Sequence, residues 1–220
     1  MTYDFWEYGT ENIKKQLSVK EEPIAVININ YPFFSEKKEK QNSFVSKINK
    51  FYKHTAEKYA DYVIRKYPSK ALRVFNENGR IKLSFLMSFA VSYNTEDILS
   101  IFTDLSYFDG HTKKSVRFSQ NWSCEHSAML PPSFFFDTGK KSKKYITSVI
   151  SGFASENMKN RSFNYYADFE KLIRSGFDFD NFYFVPNGAA FFYNQGFLSE
   201  ESELCVFVVS KEKMNTVLRK

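Results

Sequence analysis

The chain has 220 residues, 43% of them hydrophobic and 25% charged, the balance of a folded globular protein rather than a disordered or fibrous one. Its 25 Phe and 14 Tyr supply much of the apolar content, so the core is expected to be built from large rings that each bury about 150–250 Å². A net charge of +6 permits weak attraction to phosphates, anionic lipids or acidic polymers, but the basic residues are spread along the chain and read as a solvated surface.

The first 23 residues read as an N-terminal extension without the long apolar core of a signal peptide. No stretch approaches the roughly 20 apolar residues of a membrane span. As written, the chain is expected in the cytoplasm; with an export segment ahead of Met1 the expectation becomes extracytoplasmic. Two cysteines, Cys124 and Cys205, form no paired framework and suit reduced thiols or a single disulfide.

IAVININY (24–31) alternates apolar and polar residues and predicts a strand that Pro32 stops. The charge run EKKEK (36–40) reads as a solvated loop. From Asn42 to Lys66, Phe44, Ile48, Phe51, Tyr52, Thr55, Tyr59, Tyr62 and Val63 recur at three- and four-residue steps. That spacing predicts a long amphipathic helix with an aromatic core stripe, ended by Pro68. Asn76 to Gly79 is a turn signal. Residues 80–94 predict a strand carrying Leu83, Phe85, Met87, Phe89 and Val91 on one face. A hairpin at Asn94-Thr95-Glu96 leads into 96–108, and Asp109-Gly110 turns the chain into a third strand, 115–122.

After Pro131-Pro132, Phe134 to Phe136 suggest a short buried segment, and Asp137-Thr138-Gly139 a turn. Tyr145, Ile146, Val149, Ile150 and Phe153 return to helical spacing, and Phe169, Leu172 and Ile173 mark another short helix closed at Gly176. FYFV (182–185) and AAFFY (189–193) flank Asn187-Gly188, the expected hairpin turn. LCVFVVS (204–210) is the last strand, and 211–220 reads as a tail. The order implies an α+β fold: an antiparallel sheet, a long amphipathic helix after the first strand, and two further helices before a C-terminal hairpin and strand. The expected domain covers 24–210, as one body or as subdomains 24–94 and 95–210.

That order and its local motifs resemble a known bacterial family. IAVININYPFF precedes the long helix; ILSIFTDLSYFDGHTKKSVRFS is similar to the family's hairpin; FDTGKK precedes a helix; NFYFVPNGAAFFYNQGFLSEESELCVFVVS closes the domain. The family is the extracytoplasmic domain of RsiV-type, lysozyme-sensing anti-sigma factors, shared with some peptidoglycan deacetylases. The resemblance runs from Ile24 to Ser210. It departs from the pattern at Phe108-Asp109-Gly110-His111, where many members carry Gly-Gly-x-His, and at Asn194 to Leu198. It implies the fold and a non-catalytic binding role toward a protein or a cell-wall-derived molecule. It does not imply lysozyme recognition, for which no contact motif is identifiable.

No nucleotide-binding glycine loop, HExxH or GxSxG sequence occurs. Asp109, His111, Trp122 and His126 are the candidate ligand-binding set, and no catalytic residue, metal ligand or cofactor is assigned. A small enzyme with a site at Asp109, His111 and His126 is the alternative reading. Lys140, Lys141, Lys143 and Lys144 form the densest basic patch, which as a nucleic-acid contact gives a third, weaker reading.

Overall fold

A computed structural model describes residues 5–35, 43–77, 82–200 and 204–219. The expected loop at 36–40 and the second half of the turn at 76–79 fall outside them. The fold is α+β, and its strands run in the order β1 (Tyr8–Val19), β2 (Glu22–Phe34), β3 (Leu83–Asn94), β4 (Ile98–Phe108), β5 (Lys113–Ser123), β6 (Ala128–Met129) in one sheet and β7 (Phe182–Val185), β8 (Gly188–Tyr193), β9 (Cys205–Ser210) in another. The described residues form two compact units, the first within 3–90 and 103–116 and the second within 91–102 and 117–220. This partition cuts across the expected boundary at 94, because β3, β4 and β5 each pass from one unit into the other.

In the first unit, β1 (Tyr8–Val19) pairs antiparallel with β2 (Glu22–Phe34). The stretch read as an extension is therefore largely a strand. Its solvent exposure erases the apolar alternation that would announce it, and its turn residues Lys20 and Glu21 take positive φ (47° and 69°) without an Asn-Gly signal. β2 runs on through Pro32 to Phe34. Its pairing with β3 (Leu83–Asn94) covers only Ala25 to Ile29, so Pro32 lies where the strand needs no second set of ladder donors. That β2–β3 pairing is parallel, which corrects the all-antiparallel expectation. A parallel neighbour requires a crossover, here α1 (Ser43–Lys66) and α2 (Pro68–Glu77).

The α1 stripe is the predicted one with its register refined. Phe44, Ile48, Tyr52 and Val63 are buried, joined by Val45, Ala56 and Ala60, whereas Tyr62 is exposed. Small alanines let the helix approach β2 closely. Asn49 fixes the approach: its side chain accepts from the Phe34 N–H at 2.8 Å and donates to the Phe34 carbonyl at 2.9 Å, standing in for a neighbouring strand. Burial pushes the half-buried Tyr59 hydroxyl up to about 12. α1 ends at Lys66, ahead of Pro68 as expected, and Pro68 then opens α2, since a proline is tolerated at a first helical position.

In the second unit, β4 (Ile98–Phe108) and β5 (Lys113–Ser123) contribute Ile98–Phe102 and Arg117–Ser123. The short β6 (Ala128–Met129) and α3 (Pro132–Phe135) follow, then α4 (Lys140–Lys159) and α5 (Phe169–Gly176). β7 (Phe182–Val185), β8 (Gly188–Tyr193) and β9 (Cys205–Ser210) make an antiparallel sheet whose inner face joins a core rich in rings. Phe136 lies within 6.4 Å of the ring centres of Phe135, Phe179, Phe182, Phe184 and Phe191. The expected C-terminal tail instead enters this core. The short helix α6 (Lys211–Met214) buries Met214, and Val217 is buried behind it. Cys124 and Cys205 are not joined by a disulfide.

The β7–β8 turn is Pro186-Asn187 rather than Asn187-Gly188, because Val185 pairs with Gly188. Pro at the second and Gly at the fourth position suit a turn without positive φ at its centre, and Asn187 has none. Gly188 is needed for another reason: its φ is 156°, and a Cβ there would collide with the Val209 carbonyl oxygen.

β7 is an edge of its sheet, yet two of its backbone groups are satisfied by side chains from β4 and β5. The Phe184 N–H donates to Ser100 Oγ at 2.9 Å, and Asn121 Nδ2 donates to the Phe182 carbonyl at 3.1 Å. Ser100 Oγ donates in turn to Asn121 Oδ1 at 2.6 Å, and both residues are buried. No described helix is long and apolar enough to cross a membrane.

Two substitutions test these constraints in urea unfolding. Asn121→Ala strands two buried partners and is expected to cost about 2–4 kcal/mol; a loss below about 0.5 kcal/mol, the range of ordinary surface changes, contradicts the anchoring role. Gly188→Ala is expected to cost at least about 1–3 kcal/mol in backbone strain, with the clash adding to it; an unchanged midpoint contradicts the close approach.

Candidate functional site

Of the residues singled out by sequence, Asp109 and His111 fall in the first unit, and Trp122 and His126 in the second. Asp109 and His111 sit in the β4–β5 turn, where Asp109 organises its own loop. Its carboxylate accepts from the Thr112 N–H at 2.9 Å, the His111 N–H at 3.3 Å and the Tyr107 hydroxyl at 3.3 Å. The Thr112 hydrogen bond leads the effects that hold its pKa below the usual carboxylate value. His126 belongs to the second unit, in the turn that follows β5. His126 bonds to Ser123 Oγ through Nδ1 at 2.9 Å and meets the Phe134 ring edge-on at 5.5 Å. Trp122 is buried at 5% exposure, so its ring is core rather than a stacking platform. No cluster of three metal-ligating side chains occurs among the described residues.

Of the basic patch, Lys140, Lys141 and Lys144 are exposed on the first turns of α4. Lys143 differs from them. It is half-buried, donates from Nζ to the Phe177 carbonyl at 2.9 Å, and holds its ammonium 5.9 Å from the Phe177 ring centre.

Lys143 lines a cleft of about 410 Å³ within the second unit. Pro131, Pro132 and Ser133 form the edge leading into α3, and Thr138 stands just before α4. Phe177, Asp178, Phe179 and Asp180, the segment between α5 and β7, make the remaining wall. Its volume falls within the roughly 300–1,000 Å³ typical of small-ligand sites.

Each wall is fixed by local chemistry. Asp137 accepts from the Gly139 N–H and the Ser142 hydroxyl, both at 3.0 Å, which sets the turn carrying Thr138 into α4. These two bonds, the Gly139 one foremost, hold its carboxyl below the usual range. On the other wall, Phe177-Asp178-Phe179-Asp180 alternates ring and carboxylate as it enters a turn, closed by the Asn181 N–H on the Asp178 carbonyl. Both rings are buried and both carboxylates are exposed. Asp178 Oδ1 accepts from the Asp180 N–H at 3.0 Å, and Ser119 Oγ donates to the Asp180 carbonyl at 3.3 Å. Asp180 keeps contact with solvent, but the wall strips enough hydration to push its pKa up, and the Asp178 charge adds to the shift. The FDFD alternation is the sequence signal that marks this acidic wall, and it is absent from the candidate set drawn from sequence.

No known family's sequence pattern matches the chain, and no curated protein sequence matches it either. Solved structures do. The chain is similar to a DUF3298-family protein from Bacteroides fragilis, with a TM-score of 0.69 and 13% identity over 99% of this chain and 95% of that one. It is also similar to a DUF3298-family protein from Pseudomonas aeruginosa, with a TM-score of 0.60 and 12% identity over 97% and 95% of the two chains. The fold is shared with DUF3298-family structures, an uncharacterised domain family. At such identity the likeness carries the fold and no activity.

The raised pKa of Asp180 has a consequence for stability. A group whose folded pKa lies above its unfolded value favours folding below the unfolded value, 3.8, and loses that contribution as pH rises through the folded one. Asp180→Asn is therefore expected to raise the melting temperature at pH 7 and to leave it unchanged near about pH 3, where both states are protonated. A destabilised variant at pH 7 contradicts the desolvated carboxylate.

Proposed function

We propose that the chain is a non-catalytic binding module whose ligand is a protein or a cell-wall-derived molecule, engaged at the cleft between the start of α4 and the Phe177–Asp180 wall. The observation that carries the reading is the cleft itself, a recess whose polar groups are positioned by an aromatic core and by backbone hydrogen bonds. Sites held on rigid elements bind without the cost of ordering loops. The motif resemblance to RsiV-type domains supports a binding role, and the DUF3298 likeness supports the fold on which that role rests. A cell-wall ligand requires an extracytoplasmic location.

Calorimetric titration with solubilised cell-wall fragments, and separately with hen lysozyme, tests the reading. Binding of either is expected to weaken at least tenfold in the Asp178→Asn, Asp180→Asn double variant. Turnover of a glycan, ester or phosphate substrate that His111→Ala or Cys124→Ala abolishes contradicts it.

A further inference from the structure

The cleft carries charges of both signs that do not neutralise one another. Lys143 reaches into it from α4 as a cation, and Asp178 and Asp180 are anions on the Phe177–Asp180 segment. Among the described residues no ion pair joins Lys143 to either carboxylate, and no cation enters among the effects on the Asp180 pKa. Opposite charges on neighbouring walls ordinarily close into a pair when side-chain reach allows. Here the Lys143 Nζ is committed instead to the Phe177 carbonyl at 2.9 Å.

Both sides keep binding capacity. An ammonium has three N–H donors and Lys143 donates one of them to the Phe177 carbonyl. Asp178 gives one oxygen to the Asp180 N–H, and the Asp180 carboxylate accepts no hydrogen bond among the described residues. A ligand of a single charge would satisfy one wall and be repelled by the other. A dipolar ligand satisfies both.

We propose that the cleft takes a zwitterionic ligand, an amino acid or a short peptide with both ends free. Its ammonium is held by Asp178 and Asp180, and its carboxylate by Lys143. This rests on the reading of the cleft as the binding site. The Ser133 and Thr138 residues supply hydroxyls for the backbone amide of such a ligand, and Pro131 and Pro132 supply an apolar edge for its side chains. At about 410 Å³ the cleft admits a dipeptide.

The test is calorimetric titration of the full chain at low salt and pH 7 with alanylalanine, its N-acetyl form and its C-terminal amide. The free dipeptide is expected to bind, and each blocked form to bind at least tenfold more weakly. In the Asp178→Asn, Asp180→Asn double variant the preference for a free amine is expected to vanish while the preference for a free carboxylate remains; the asparagines keep the acceptor for the Asp180 N–H, so the wall is preserved. Lys143→Gln is expected to do the reverse, and Lys143→Arg to retain both preferences. Equal binding of free and blocked forms overturns the proposal. So does a dipeptide that fails to bind while cell-wall fragments or a protein bind in a manner sensitive to the cleft variants, an outcome that leaves the cleft as the binding site. Binding of those larger ligands that ignores every cleft variant overturns both the ligand class and the cleft reading.

Discussion

The arrangement of the second unit depends on a buried pair of polar side chains, Ser100 and Asn121. An edge strand must place its outward N–H and C=O groups somewhere. Ser100 and Asn121 provide that place for Phe184 and Phe182, and they bond to each other at 2.6 Å. Two β-structures are thereby joined through side chains rather than by a backbone ladder. Such a joint is directional, whereas the rings around it in the core are not. It fixes where β7 lies, and the rings then fill the space that remains.

The cleft inherits its geometry from that joint. Asp178 and Asp180 lie just ahead of β7, and the Phe192 N–H donates to the Asn181 carbonyl at 3.0 Å, tying the segment to the next strand. The buried Phe177 and Phe179 anchor the same segment from within. The opposite wall is set by Asp137 and by the reach of Lys143 to the Phe177 carbonyl. Hydration lost at Asp180 is tolerated because the rest of the segment is over-determined by these contacts, the usual condition for a destabilised group at a binding site.

Much of the fold was legible in the sequence because periodicity reports burial. The α1 stripe, the strands at 24–31 and 83–91 and the C-terminal strands each have a buried face, and each announced itself. β1 has almost none, so its 12 residues read as an extension until their pairing with β2 is seen. Proline misled once. Pro32 lies where β2 has a partner on one side only, whereas α1 ends ahead of Pro68 as expected and Pro68 also starts α2. The parallel β2–β3 pairing was hidden because pairing is a tertiary property that periodicity does not encode.

The site was less legible. Histidine and cysteine draw attention by their chemistry, but Asp109 and His111 shape a turn, and His126 closes another turn on Ser123. The carboxylates that matter sit in an aromatic–acidic alternation, and the relevant lysine is told from its neighbours only by its reach to Phe177. The most direct measurement is backbone amide NMR of the isotopically labelled chain during addition of alanylalanine. The account predicts saturable shifts confined to Thr138, Lys143 and Phe177 to Asp180. Shifts absent there, or centred on the Asp109–His111 turn, would contradict it.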